Sequence, residues 1–358
     1  GAAISVVVAG VSMSTMALAD GSWSVDVPAA IVPTGETTMT AAVSATDPAG
    51  NTSAADISIA IDTITNVGMD PSTVEGDGTV NAAERADGLQ LTGTTEAGAS
   101  VVVAVGGAEY NAGVTGQTWS ITIPSANVPQ GETSLSVGVT ATDKAGNTDS
   151  NVYAVDIDTT TFVTVPTDTV EGEGVVNAAE RSDGVVLNGT AEPGASVTVT
   201  MAGVTHDATV MANGSWTVKF SASEIPTGEQ TVTVTANAID PAGNAETASS
   251  TIDVDTLVRN FGITSTPGGA DGVVNAAEAS SGLELTGTTE PGDAVQLTLN
   301  GHAVTASVAA DGSWTARFSA SQLPSGEVTT TLTAVTTDLA GNTETLTQNV
   351  VIDTDAGR

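Results

Sequence analysis

The sequence predicts an all-β chain, a tandem array of small two-sheet sandwiches forming an extended rod. A repeat and a periodicity carry that reading. Tryptophan recurs at Trp23, Trp119, Trp216 and Trp314, spaced 96, 97 and 98 residues apart. The surrounding phrases are Asp20-Gly-Ser-Trp23, Gly116-Gln-Thr-Trp119, Asn213-Gly-Ser-Trp216 and Asp311-Gly-Ser-Trp314. A second phrase ends 28 residues beyond each Trp: Asp47-Pro-Ala-Gly-Asn51, Asp143-Lys-Ala-Gly-Asn147, Asp240-Pro-Ala-Gly-Asn244 and Asp338-Leu-Ala-Gly-Asn342. One module is therefore repeated about four times, and long reach with one site per module is the expected product.

The second copy supplies the periodicity. Leu89-Gln-Leu-Thr-Gly-Thr-Thr95 alternates apolar and polar residues, as a half-buried strand does. An entering strand is expected over 64–69. Val101–Val105 and Tyr110–Val114 are expected to form a hairpin around Gly106-Gly107. Trp119–Ile123 is stopped by Pro124, and strands over 135–142 and 151–158 close the copy. Seven short strands with turn signals every 8–12 residues point to two antiparallel sheets packed face to face, an immunoglobulin-like sandwich. One Trp inside each alternating strand reads as core rather than as an exposed sugar platform.

Copies are expected at 1–62, 63–158, 159–255 and 256–358. The last strand of one copy leads almost directly into the first strand of the next, which restricts bending. The first copy starts at the equivalent of Gly98 and lacks two strands. The chain is therefore expected to be a piece of something longer, or to receive those strands from another molecule. Residues 1–19 imitate a secretory leader ending in Ala17-Leu-Ala19. No basic residue precedes the apolar run, however, and the stretch matches Gly98-Ala-Ser-Val-Val-Val-Ala-Val105, so it reads as repeat.

Composition narrows the partners. Seven Lys+Arg against 42 Asp+Glu give a formal net charge of −35, which repels nucleic acid and suits divalent cations. Hydrophobic residues at 40 % are enough to build packed cores. There is no Cys, so stability rests on the cores or on metal. No apolar run approaches the ~20 residues that span a bilayer, and no membrane insertion is expected in this segment.

Strand order places the candidate metal ligands. In such a sandwich, the loop after the second strand and the loop before the last strand lie at the pole where the chain enters. The exit residue of the preceding copy arrives at that pole. Asp62, Glu96 and Asp143 are therefore expected to converge, as are Asp158, Glu192 and Asp240, and then Asp255, Glu290 and Asp338. Three carboxylates at one place repel unless a cation such as Ca2+ lies between them. Turn capping is the alternative role for the Asp residues.

A second acidic loop resembles the tail of an EF-hand calcium loop: Asp77-Gly78 to Glu84, Glu173-Gly174 to Glu180, and Asp271-Gly272 to Glu278. Its first position is Thr73, Thr169 or Pro267 instead of Asp, so a looser site using Asp77, Glu84 and Asp87 is expected rather than an EF-hand. Alternatively, Asn81-Ala-Ala-Glu84 is a single helical turn closing the end of the sandwich. His206 and His302 are isolated, and no catalytic set of residues recurs, so an enzyme is the least supported reading.

Leu187-Asn-Gly-Thr-Ala-Glu-Pro-Gly-Ala-Ser-Val-Thr-Val-Thr200, with Asn213-Gly-Ser-Trp216 and Asp240-Pro-Ala-Gly-Asn244, resembles the bacterial immunoglobulin-like repeats of giant adhesins. The Asn-Ala-Ala-Glu insertion is similar to that of biofilm-associated, type I secreted (RTX-type) adhesins. The resemblance implies an extracellular extender on a bacterial surface, stiffened by calcium at its joints and spacing a terminal binding domain from the outer membrane. Its partners would be calcium ions and neighbouring repeats of the same chain. The alternatives are that the repeats themselves grip a glycan or protein, or that the chain polymerises by strand donation to its first repeat.

Overall fold

A computed structural model of the chain describes residues 1–168 and 170–355; Thr169, named above in the acidic loop, lies outside them. Contacts divide the chain into two units, Gly1–Thr160 with Ala242–Asn244, and Thr161–Pro241 with Ala245–Arg358. Strands dominate both, in keeping with the all-β expectation. Among the described residues no helix is long and apolar enough to cross a membrane.

In the first unit, β1 (Ala3–Val8), β2 (Val11–Met16), β3 (Thr37–Thr46) and β4 (Thr52–Ile61) form an antiparallel sheet in the order β2-β1-β3-β4. The leader-like stretch pairs as β1, and its alternation buries Ile4, Val6 and Val8 against Met39 and Ala41. The chain continues as β5 (Val67–Met69), β6 (Thr79–Val80), α1 (Ala82–Asp87), β7 (Leu89–Thr95), β8 (Ser100–Val105), β9 (Ala108–Thr115), β10 (Thr118–Ile123), β11 (Glu132–Thr142) and β12 (Thr148–Asp158). These strands enclose a separate core that includes Leu89, Leu91, Val103, Trp119, Ile123 and Val137.

Two details depart from the separate antiparallel sheets that the periodicity predicts. The strand β9 pairs with β8 through Ala108–Ala112 and with β10 through Gly113–Thr115, so the two layers join into one eight-stranded sheet. In addition, β6 runs parallel to β12, with Thr79 opposite Asp156 and Val80 opposite Ile157. The residues between β5 and β6 turn the short strand to run with the closing strand.

The second unit keeps its layers apart. Its hairpin arm pairs with one sheet over Val204–Asp207 and with the other over Thr209–Val210. Between them the Ala208 N–H donates to the Val197 carbonyl. Val185, Leu187, Trp216, Phe220 and Ile252 belong to one core, and Leu285, Trp314, Phe318 and Ile352 to another.

Trp119, Trp216 and Trp314 are each 1 % exposed. Each lies against a glycine of the strand it pairs with. A Cβ on Gly93 would fall 2.7 Å from the Trp119 indole and 2.0 Å from the Gly68 carbonyl oxygen, so only glycine fits there. Trp23 departs from the core expectation at 37 % exposure. Its segment is not in a strand.

Candidate metal centre

The first predicted triad comes together. Asp62 follows β4, where the chain leaves one core, while Glu96 and Asp143 stand in loops of the next. One carboxylate oxygen from each lies within 4.8 Å of the others. A threonine side chain ties the path of the chain into this place to a glycine backbone N–H. The Gly35 N–H donates to Thr63 Oγ1 at 2.7 Å, and the same Gly-to-Thr bond recurs from Gly131 to Thr159 in this unit.

Asp143 is buried and has its turn partners: Oδ1 accepts from the Gly146 and Asn147 N–H groups at 2.7 and 2.8 Å. Asn147 Nδ2 donates to Asp143 Oδ2 at 2.7 Å and to Asp62 Oδ1 at 3.1 Å, bridging the two carboxylates. Burial alone would push the Asp143 carboxyl up, but these Asn147 and Gly146 hydrogen bonds outweigh it and hold it below the ordinary range.

Glu96 is different. Its Oε2 is buried without a hydrogen-bond partner, as is the Thr65 hydroxyl. Burial pushes the Glu96 carboxyl above its ordinary range, and the charges of Asp62, Glu36 and Asp143 push it further. Thr65 lies near enough to oppose this but does not have hydrogen-bonding geometry. The result is a cluster of three hard oxygen donors in which hydrogen bonds satisfy two carboxylates and leave the third short of positive charge. That chemistry suits a divalent cation.

The second predicted triad is divided between the units. Asp158 ends β12 in the first unit and accepts at its carbonyl from Asn244 Nδ2 at 2.9 Å. Glu192 and the buried Asp240 lie in the second. In the third triad Asp255, Glu290 and Asp338 do not gather into such a group. Glu290 Oε2 accepts from the Arg259 N–H at 3.2 Å, and the Asp255 carbonyl accepts from Asn342 Nδ2 at 3.0 Å. Asp338 Oδ1 and Oδ2 accept from the N–H and Nδ2 of Asn342 at 2.7 and 2.8 Å.

The acidic loops are occupied with backbone work. Asn81 caps α1, and Glu84 Oε2 accepts from the Asn81 N–H at 2.9 Å, closing a capping box. Asn177 with Glu180 and Asn275 with Glu278 repeat it. Asp77 Oδ1 takes the Thr79 N–H at 2.9 Å, and Asp271 Oδ1 takes the Val273 N–H at 3.2 Å. Asp87 and Glu173 are exposed. The helical-turn alternative therefore describes 81–87 locally, and these carboxylates are not drawn into a shared group.

Asparagine was the missed residue type. Asn244 Oδ1 accepts from the Ala82 N–H at 2.8 Å while its Nδ2 reaches Asp158, all within the first unit. Asn342 does the same in the second, from the Ala178 N–H at 2.7 Å to Asp255. Each joins the cap of one short helix to the end of a closing strand. The signal was its constant place at the end of the second repeated phrase.

Three domain-family profiles match the chain. One, described as a bacterial Ig-like domain, covers residues 7–63 and 90–159; a bacterial Ig domain covers 173–255, and another bacterial Ig-like domain covers 268–354. Among solved structures the chain is similar to a Ca2+-stabilized adhesin that helps an Antarctic bacterium reach out and bind ice. That match has 27 % identity and a TM-score of 0.41, over 99 % of this chain and 90 % of that one. It is also similar to a 1.5-MDa bacterial ice-binding adhesin, at 26 % identity and a TM-score of 0.46, over 82 % and 99 %. A third is a tetra-tandem repeat from the extending region of a large adhesion protein, at 23 % identity and a TM-score of 0.41, over 99 % and 92 %. No curated protein matches the chain.

Proposed function

We propose that this chain, which belongs to the bacterial immunoglobulin-like domains, is a length of stalk from a bacterial cell-surface adhesin. Its domains divide after Asp62, Asp158 and Asp255. Calcium at the joints stiffens the stalk and holds a binding domain of the parent protein away from the cell. The observation that carries this reading is the Asp62–Glu96–Asp143 group with its buried, unpartnered Glu96 Oε2.

Asp62 stands at the end of one core and the other two carboxylates in loops of the next, so a cation held by all three ties the exit of one domain to the entrance of its neighbour. Calcium supplies positive charge to a place that holds only negative charge. Asn147 orients Asp62 and Asp143 so that their oxygens face each other. A cation that binds only the aligned joint stabilises it by RT ln(1+[Ca]/Kd), about 2.7 kcal/mol at a hundred times Kd. Extracellular modules of this kind bind calcium at roughly 0.1–1 mM, so the joint is slack inside a cell and firm outside it.

A glycan-gripping role is less well supported, because Trp119, Trp216 and Trp314 are buried and unavailable for stacking. The test is thermal unfolding of the full chain in a chelator and then in increasing calcium, with magnesium as the control. A calcium-selective rise that Asp143→Asn reduces supports the stalk; no response leaves these carboxylates as turn caps and surface charge.

A further inference from the structure

Seven basic residues serve the whole chain, and one of them, Arg259, stands in the segment that follows Asp255. That segment is one residue longer than its counterpart in the first unit. Gly68 pairs with Thr94 and Gly262 with Thr288, in the phrases Thr94-Thr-Glu96 and Thr288-Thr-Glu290. Five residues separate Asp62 from Gly68, but six separate Asp255 from Gly262. Asn260 absorbs the extra residue in a left-handed turn, with φ at +57°.

We propose that the guanidinium of Arg259 is an internal cation for the Asp255 joint, which therefore holds without the calcium ion that the Asp62 joint takes. The inference rests on the calcium reading above and separates two joints that the repeat pattern makes alike. Arg259 Nε lies 2.8 Å from Glu229 Oε1, and its backbone N–H occupies Glu290 Oε2. Glu229 follows Gly228 as Glu36 follows Gly35, each glycine N–H donating to the Thr after the exit Asp. The same glutamate is thus paired with a cation in the second unit, although its charge still raises Glu290. In the first, Glu36 adds its repulsion to Glu96.

Lys144, the basic residue nearest the first triad in sequence, is exposed, lies over Gly98 and makes no ion pair among the described residues. At the Asp255 joint each carboxylate already has an oxygen that accepts a protein donor. Asn342 and the Leu257 N–H serve Asp255, and Asn342 serves Asp338. Asp293, 6 % exposed where the first unit has Ala99, takes the Thr289 hydroxyl and the Glu290 N–H. A cation entering this joint would have to displace protein donors, and Arg259 already neutralises part of the charge. Its positive charge pulls both Asp255 and Glu290 downward, against the burial that pushes them up.

The test counts calcium bound by the full chain in equilibrium dialysis, with amide exchange followed by mass spectrometry. Asp143→Asn is expected to lose one ion and Asp338→Asn none. Arg259→Gln is expected to gain one ion and to make exchange across 255–262 calcium-dependent, while Arg259→Lys restores independence. Loss of an ion by both Asp143→Asn and Asp338→Asn overturns this inference and leaves the calcium reading standing. An unchanged count and exchange in Arg259→Gln also overturns it. No loss in Asp143→Asn overturns the calcium reading, and this inference with it.

Discussion

The carboxylates of Asp62, Glu96 and Asp143 and those of Asp255, Glu290 and Asp338 occupy corresponding places in the repeat, yet only the first set gathers within 4.8 Å. The first has a bridging Asn147, an unpartnered Glu96 oxygen and a Glu36 that makes no ion pair among the described residues. The second has one more residue, an arginine, and an asparagine that reaches a strand end and a helix cap together. Shared motifs therefore specify a common backbone path without specifying how the charges collected there are balanced. On the reading proposed above, one inserted residue exchanges an external cation for an internal one.

Removing calcium should separate the two sets most. Amide protection over 62–67 is expected to fall in chelator, by up to the about 2.7 kcal/mol that a site at a hundred times Kd contributes. Protection over 255–262 should persist. Equal loss in both segments would erase the distinction. Asn342→Ala should come next, costing about 1–3 kcal/mol because the Ala178 N–H and the Asp255 carbonyl lose their shared partner. Its effect, read by denaturant unfolding, should be the same with and without calcium.

Acidity provides a third comparison. Burial, first, raises Glu96, Asp255 and Glu290 above their ordinary values of 4.5, 3.8 and 4.5. A raised carboxyl contributes stability that is complete below its unfolded value and is lost as pH climbs through the folded one. Chelated protein should therefore firm up at both sites as pH falls from neutral toward about 4.5. Asp143, held low by Asn147 and Gly146 against its burial, has the opposite sign and should loosen the first site below its ordinary 3.8. Saturating calcium should abolish the gain on acidification at Glu96 but leave it at Glu290, as amide exchange across a pH series would report.

The smallest effect belongs to Glu229→Gln. Arg259 and Glu229 are 47 % and 32 % exposed, so their pair is worth about 0.2–1 kcal/mol and weakens with salt. A change well above that range in denaturant unfolding would mean that Arg259 does more than balance charge.

Much of the fold was legible from local text. Strand 89–95 was read to its ends, because alternation there is strict and both flanks are turn residues. The expected strand at 64–69 shrinks to Val67–Met69, since the residues before it carry the chain between cores. Nothing local revealed that β9 would pair on both sides, because pairing partners come from elsewhere in the chain. The acidic loops looked like ligand loops because Asp, Asn and Glu both bind cations and cap backbone. Asn81 and Glu84 spend their side chains on a helix start, a choice settled by the direction of the chain around them.

By itself the sequence determined the all-β class, the repeated module, the buried Trp of the later copies and the charge that favours a cation. Those follow from periodicity, composition and side-chain size, which are properties of short stretches. Tertiary structure alone decided which carboxylates meet, which asparagine holds them, and that Arg259 faces Glu229. Such contacts join residues some 30 to 85 positions apart, and an ångström or two at the end of a strand decides between attraction and empty distance.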